Sequence, residues 1–130
     1  MKIIRFSDIE FIPSNHEDPE NPGVWIKRLY LRDSQNHFLN GKIQMITWAK
    51  TPAGKSFQAH YHEKMTEVFI ILNGTITVVV GGKHLEAEAG DLIIADAKEI
   101  HQFVNNSSED INYIAMGVVI GEGGKTIIVS

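Results

Sequence analysis

The stretch GKSFQAHYHEKMTEVFIILNG, residues 54–74, decides the fold and the chemistry of this chain. His60 and His62 are two residues apart, and side chains at this spacing point to the same face of a β-strand. A run of β-forming residues follows and ends at an Asn-Gly pair, which is a strong hairpin signal. A turn after His62 would bring Glu67, on the returning strand, to the same face. The stretch therefore predicts paired strands that carry clustered imidazole and carboxylate groups.

These side chains are candidate metal ligands. Neutral imidazole nitrogen and carboxylate oxygen together are what a divalent transition metal binds. His60, His62 and Glu67 are the first three candidates. A fourth, His101, lies further along the chain in GDLIIADAKEIHQFVNN, residues 90–106.

Composition limits the classes of function. The chain has 130 residues, enough for one domain with a proper core. It has no cysteine, which excludes disulfides, thiolate-bound zinc, iron–sulfur clusters and cysteine nucleophiles. The net charge is −4, and the 12 basic residues are scattered rather than clustered in a stripe. We therefore expect no nucleic-acid partner.

The sequence also argues against a membrane protein. The first ten residues, MKIIRFSDIE, have no long apolar core and no small-residue cleavage site, so no secretory signal is expected. No apolar run approaches the roughly 20 residues that cross a bilayer. We expect a cytoplasmic protein without a membrane partner.

Short strands separated by turn signals fill most of the chain. No segment keeps a helical period, and about ten strands with turns between them indicate an all-β barrel or sandwich. We expect one domain over residues 1–130, with an N-terminal arm at about 1–23 and a core at 41–120. The predicted strands are 24–31, 41–51, 56–62, 66–72, 75–80, 83–87, 91–95, 100–104, 111–120 and 125–129.

The spacing of glycines, histidines and the glutamate resembles the two motifs of the cupin superfamily. The first motif, Gly-x5-His-x-His-x3–4-Glu-x6-Gly, is present at every fixed position, and the second, Gly-x5-Pro-x-Gly-x2-His-x3-Asn, in part. The matching residues are Gly54, His60, His62, Glu67 and Gly74 in the first motif, and Gly90, His101 and Asn105 in the second.

The second motif departs from the family pattern at two positions. Asp96 stands where the family has proline, and Lys98 where it has glycine. Aspartate is a good turn residue, so the bend is expected to persist. If the glycine position needs a positive φ, Lys98 costs on the order of 1–2 kcal/mol there. Asn105 is expected to form a turn rather than to bind metal.

The resemblance implies a fold and a ligand set. The fold is the double-stranded β-helix, or jelly-roll, barrel of a small single-domain cupin. His60, His62, Glu67 and His101 would bind one divalent transition metal ion inside it: Fe, Mn, Ni, Co or Zn. An octahedral ion would keep two positions open for substrate, water or dioxygen.

The alternation of side chains predicts which residues line the pocket. Residues that share a strand face with a candidate ligand should point into the barrel beside it. They are Gln58, Phe69, Ile71 and Phe103. The remaining histidines, His16, His37 and His84, match no motif position and are expected to be solvated. The proline-rich loop at 13–23 is interpreted as a plain surface connection rather than a cover.

Two classes of function remain open. Relatives in the superfamily indicate a metalloenzyme, a dioxygenase-like oxidoreductase or an isomerase, lyase or decarboxylase, that acts on a small metabolite. The alternative is a non-catalytic module that binds or senses a metal or small ligand. No catalytic residue beyond the metal ligands can be assigned. A phosphosugar isomerase would need a basic anchor for the phosphate of its substrate, and Lys27, Arg28 and Lys50 are available for it. Exposed strand edges at the N-terminal arm and the terminal TIIVS predict a homodimer.

Overall fold

The computed structural model describes residues 1–34, 39–121 and 124–129. These ranges contain two short 3-10 turns, Phe6–Asp8 and Leu39–Gly41, and eleven strands. The strands are β1 (Ile12–Pro13), β2 (Trp25–Leu31), β3 (Ile43–Thr51), β4 (His60–His62), β5 (Met65–Ile71), β6 (Thr75–Val80), β7 (Lys83–Glu88), β8 (Leu92–Ala95), β9 (His101–Val104), β10 (Ile111–Val119) and β11 (Thr126–Ile128).

The strands form two antiparallel sheets. One has the order β1-β2-β3-β10-β5-β8, and the other has the order β11-β4-β9-β6-β7. Strands that are distant in sequence lie side by side, as expected of a jelly roll. The structure confirms the predicted all-β fold class. No helix within the described ranges is long and apolar enough to span a membrane.

The core lies between the two sheets, and the alternating burial of side chains along β10 illustrates this arrangement. The side chains of β10 alternate strictly between buried and half-buried from Ile111 to Val119. Tyr113 is one of the inward residues; its ring packs against Phe103 from the opposite sheet, with centroids 5.0 Å apart, and its hydroxyl pairs with Thr51 at 2.9 Å. Each fully buried large apolar side chain contributes on the order of 1.5–3 kcal/mol, so this layer is a main source of stability.

The N-terminal arm packs outside the barrel. The ring of Phe6 lies 4.9 Å from that of Trp48 on β3, and Lys27 Nζ lies 3.6 Å from the centre of the Phe6 ring. Only Ile12–Pro13 pairs with β2. The following loop leads back to β2: the N–H of Ser14 donates to the carbonyl oxygen of Val24 at 3.2 Å, and Ser14, Asn15 and His16 line the interior cavity.

Asn105 forms a turn, as the sequence predicts. Its side-chain amide donates to the carbonyl oxygens of Thr51 and Glu109, at 3.0 and 2.8 Å, and its Oδ1 accepts from the backbone N–H of Ser107 at 3.0 Å. Asn105 is almost fully buried, so these bonds satisfy polar atoms that have no access to water. It holds the 105–110 loop against the end of β3.

The turn before β9 keeps its bend despite the altered motif. The N–H of Glu99 donates to the carbonyl oxygen of Asp96 at 3.0 Å, and the N–H of Lys98 donates to that of His62 at 2.7 Å. Lys98 has φ 70°, a conformation that favours glycine. The strain expected from the sequence is therefore present, and it is tolerated because the turn docks on β4.

Replacing Lys98 with glycine is expected to raise the free energy of unfolding by about 1 kcal/mol, because it removes the Cβ that is strained at positive φ. Urea denaturation measures the difference. Lys98→Ala is the matched control, since it removes the charge but keeps the Cβ. An equal gain in Lys98→Ala would contradict a backbone origin.

Candidate metal centre

Four side chains from three strands converge where the two sheets meet. His60 and His62 extend from β4 and His101 from β9, in the five-stranded sheet, whereas Glu67 extends from β5 in the six-stranded sheet. His60 lies opposite His101 in the pairing of β4 with β9. All four are buried, and one potential ligand atom of each lies within 4.8 Å of the others. The structure thus brings together the four residues named from the sequence.

The outer nitrogens of the three imidazole rings are hydrogen-bonded to protein oxygens. Nδ1 of His60 and Nδ1 of His101 each donate to the backbone carbonyl two residues earlier in the chain, at 2.8 and 3.0 Å. Nδ1 of His62 lies 2.9 Å from the hydroxyl of Thr126 on β11. These bonds orient the rings so that Nε2 is the nitrogen available to the centre of the cluster.

Hydrogen bonds join Glu67 to two of the three histidines. Glu67 Oε1 accepts from Nε2 of His62 at 2.9 Å and of His101 at 3.3 Å. Burial alone would raise the pKa of Glu67, but these hydrogen bonds hold it well below its usual range. Burial works against the protonated form of His101, yet the bond to Glu67 raises its pKa. The pKa of His60 falls to about 3, because the ring is buried and lies beside His16 and His101.

This arrangement fits a metal site. Three imidazole nitrogens and a carboxylate oxygen match the preferences of divalent transition metals. His60 is neutral and already presents an Nε2 lone pair. Metal ligands must be deprotonated, so a cation would displace the proton of His101 that faces Glu67, and its binding should release protons. The carbonyl and hydroxyl partners of the Nδ1 atoms supply the outer support that metal-binding histidines usually have.

A cavity of about 400 Å³ opens beside the cluster. This volume suits a small-molecule ligand. Much of its wall is apolar, and its charged lining residues, apart from histidines, are Glu67, Arg28, Arg32 and Lys64. Further lining residues include Val24, Ile26, Met45, Thr47, Ala49, Phe57, Met65, Phe69, Tyr113, Ala115 and Val119.

The predicted pocket lining differs from the observed one. Phe69 lies in the cavity wall, whereas Ile71 and Phe103 are buried in the core and are not among the lining residues. The prediction for Gln58 is wrong: its side chain is exposed. The alternation does not extend to Gln58, because regular strand structure begins only at His60.

His16 is the residue of the cavity that sequence reasoning missed. It was expected to be solvated, but its ring lies 4.1 Å from that of His60 and lines the cavity. Its Nδ1 lies 2.9 Å from the carboxylate of Glu17, which is buried and also accepts from the N–H groups of Gly23 and Gln58, each at 2.8 Å. The 13–23 loop is thus part of the cavity wall. No spacing signal marks it, because its position depends on contacts about 40 residues away in sequence.

The other histidines and the basic residues considered from the sequence lie in four different places. His84 is exposed on β7, as predicted, and His37 lies outside the described residues. Arg28 lines the cavity. Lys27 and Lys50 instead place their ammonium groups over aromatic rings of the N-terminal arm. Of the three basic residues considered from the sequence, Arg28 is the one that reaches the site.

Comparison with known proteins identifies the family of the fold. A family model described as a cupin domain matches residues 47–117, which is more than half of the chain. The oxalate-binding protein of Thermotoga maritima is 28% identical over 82 residues, which cover 63% of this chain and 68% of that protein.

Solved structures agree at the level of the fold. The crystal structure of a "predicted oxalate decarboxylase" from Thermotoga maritima matches with a TM-score of 0.74 and 23% identity, covering 92% of this chain and 100% of that one. The polyketide cyclase RemF from Streptomyces resistomycificus matches with a TM-score of 0.77 and 18% identity, covering 100% of this chain and 86% of that one. The different activities in these names show that the barrel alone does not select a reaction.

Replacing Glu17 with glutamine is expected to lower the free energy of unfolding by about 1–3 kcal/mol at pH 7, because an amide cannot accept from all three donors. Burial opposes the ionised form, but hydrogen bonds from His16 and from the N–H groups of Gln58 and Gly23 lower the pKa of Glu17. A depressed pKa stabilises the fold above the unfolded-state value, near 4.3, and the gain is lost as the pH falls through the folded value.

The stability gap between the wild type and Glu17→Gln should therefore be larger at pH 7 than at pH 3. Urea titrations at both pH values measure it. Glu20→Gln, at an exposed position of the same loop, is the control and should change stability little. A gap that is independent of pH would contradict the role assigned to the Glu17 carboxylate.

Proposed function

This chain belongs to the cupin family, and we propose that it binds one divalent transition metal ion through His60, His62, Glu67 and His101 and acts as a metalloenzyme on a small metabolite. The observation that carries the proposal is the orientation of the three imidazole rings. Their Nδ1 atoms are hydrogen-bonded away from the cluster, and Nε2 of His62 and of His101 lies within hydrogen-bond distance of the buried Glu67 carboxylate.

The donor set favours Fe, Mn, Ni, Co or Zn over hard ions such as magnesium or calcium. When bound, such an ion supplies Lewis-acid catalysis and, for a redox metal, activation of dioxygen. The proposed reactions are those of a dioxygenase-like oxidoreductase, an isomerase, a lyase or a decarboxylase.

Residues of the chain would shape the environment of the metabolite. Phe57 and Phe69 form an apolar wall next to the histidines and keep water from that side. His16 stands over His60, and because its Nδ1 is paired with Glu17, its Nε2 is the nitrogen left for a hydrogen bond to a ligand. His16 would therefore position the metabolite at the cluster.

A second candidate function is metal-dependent or small-ligand binding without turnover. Two observations favour it. The relative from Thermotoga maritima bears the name of an oxalate-binding protein. Among the described residues that line the cavity, Glu67 is the only acidic side chain, and it is engaged with histidines. A carboxylic acid that could serve as a general acid next to the metabolite is therefore missing from the described part of the wall.

Metal analysis tests the ligand set. Purified, chelator-treated protein should bind about one Co(II) or Mn(II) per chain, and a saturating metal should raise the unfolding temperature, because only the folded chain holds the ligands together. His60→Ala should weaken binding by about 100-fold or more, since even loss of a supporting residue around a metal costs 10–100-fold. His84→Ala, at an exposed position, is the control and should bind like the wild type. Equal loss in both variants, or no binding by the wild type, would contradict the site.

Turnover separates the two candidate functions. Metal-loaded protein is screened for oxygen uptake and product formation with oxalate, catechols and β-diketones. Turnover that disappears in His60→Ala while the fold persists supports the enzyme. Saturable binding without turnover supports the binding module.

We further propose that the chain forms a homodimer through the outer face of β5 and β8. Ile70 and Leu92 are direct neighbours across this strand pair, and both are exposed, as is Ile94. Light scattering at micromolar concentration should give twice the mass of the chain, and Ile94→Lys should give a monomer. Ile128→Lys tests the terminal strand edge expected from the sequence, and a monomer from this variant but not from Ile94→Lys would contradict the interface at β5 and β8. A monomeric wild type rules the dimer out.

A further inference from the structure

Arg28 lies across the cavity from the candidate metal ligand Glu67. The strand pairing places Arg28 opposite Thr47, Thr47 opposite Ala115, and Ala115 opposite Phe69. These four residues form one row on the inner face of the six-stranded sheet, and all four line the cavity. Phe69 is two residues from Glu67 on β5, so the row runs from the metal side of the cavity to Arg28.

The middle of this row is open. Thr47 and Ala115 have small side chains, so they leave space between the two ends. Three strand spacings, about 14 Å, separate the backbone at Arg28 from the backbone at Phe69. At the Phe69 end, its ring lies 5.8 Å from that of His101. A ligand held at the histidines can therefore extend over Ala115 and Thr47 toward Arg28.

The guanidinium of Arg28 has no protein partner in the described part of the chain. No hydrogen bond or ion pair joins it to another described residue. Its neighbours differ: Lys27 Nζ donates to the carbonyl oxygen of Phe6 at 2.9 Å, and Arg32 donates to that of Gly41 at 2.5 Å. A partly buried charge without a partner is unfavourable, and proteins usually pair such groups.

The cavity itself cannot neutralise Arg28. Among the described residues that line the cavity, Glu67 is the one acidic side chain. Its Oε1 already accepts from His62 and His101. Arg32 and Lys64 add positive charge to the same lining. None of the described lining residues supplies a counter-charge for Arg28, so an anionic ligand in the cavity would be its charge partner.

We propose that Arg28 is a carboxylate-binding subsite, and that the ligand is a small dicarboxylate longer than oxalate. One carboxylate would bind at the histidine–glutamate cluster, so the inference rests on the proposed function, and the other would pair with Arg28. The planar guanidinium matches a carboxylate through two parallel hydrogen bonds. Oxalate cannot make both contacts, because its carboxylates are directly bonded to each other.

A ligand series tests this subsite. Co(II)-loaded protein is titrated with oxalate, succinate and glutarate, with butyrate and valerate as single-carboxylate partners, and with 3-phosphonopropionate as the phosphate-like alternative. Binding is followed by the visible absorption of the metal, and Co(II) content is measured in every sample. The wild type should prefer succinate or glutarate over both oxalate and the matching monoacids.

Arg28→Met should weaken binding of the preferred dicarboxylate about tenfold or more, as expected for loss of a hydrogen-bonded charge pair. It should change monoacid binding by less than about twofold. Arg28→Lys keeps the charge but not the planar fork, and its affinity should be intermediate. Arg5→Met, an equal charge change in the exposed arm, is the control and should bind like the wild type.

Several outcomes would overturn the inference. They are equal affinity of Arg28→Met and the wild type for the dicarboxylate, equal loss for dicarboxylate and monoacid, no preference of the wild type for dicarboxylates, or tighter binding of the phosphonate. If the wild type holds no Co(II), the metal proposal fails by itself. Calorimetric titration of the metal-free protein with succinate then tests Arg28 alone. Binding that Arg28→Met abolishes would support the subsite, and an absence of binding would refute it.

Discussion

The hydrogen-bonded carboxylate of Glu67 joins the two sheets at the point where the cavity opens. It extends from β5 in one sheet and accepts from His62 and His101 in the other. A buried carboxylate is strongly unfavourable unless donors surround it, and removing its partners would leave an unpaired charge. The donors exist only while the sheets keep their mutual position. Strand β4 has only three residues. Pairing with β9 and β11 and the hydrogen bond between His62 and Glu67 hold it in position.

The cavity exists because the sheet opposite the histidines carries small side chains in its middle strands. Ala115 on β10 and Thr47 and Ala49 on β3 line the cavity where larger residues would fill the barrel. Close packing is the default in a protein interior, and each missing contact lowers stability. The fold recovers stability beside the cavity, where Tyr113, itself a lining residue, packs against Phe69 and Phe103. The interior therefore combines an open cavity with a closely packed aromatic cluster of Phe69, Phe103 and Tyr113.

Much of the fold could be predicted from local patterns. The hairpin signals, the short β-forming runs between them and the absence of a helical period depend on neighbouring residues, and they led to the observed all-β architecture. The positive φ of Lys98 was also foreseeable, because the motif position requires it. The inward direction assigned to Gln58 was wrong, because alternation holds only within a regular strand, and local residues do not show that the strand begins at His60.

For the candidate site, the sequence by itself determined the four potential metal ligands, since their types and spacing are local and repeat a family pattern. Only the tertiary structure decided what surrounds them. His16 reaches His60 because the neighbouring Glu17 carboxylate accepts from the backbone N–H groups of Gly23 and Gln58, which fixes the loop in place. Arg28 enters the cavity because β2 pairs with β3 in one register, with a bulge after it. Both placements depend on contacts between segments far apart in the chain, and the energy of such contacts is not visible in the spacing of residues along a single strand.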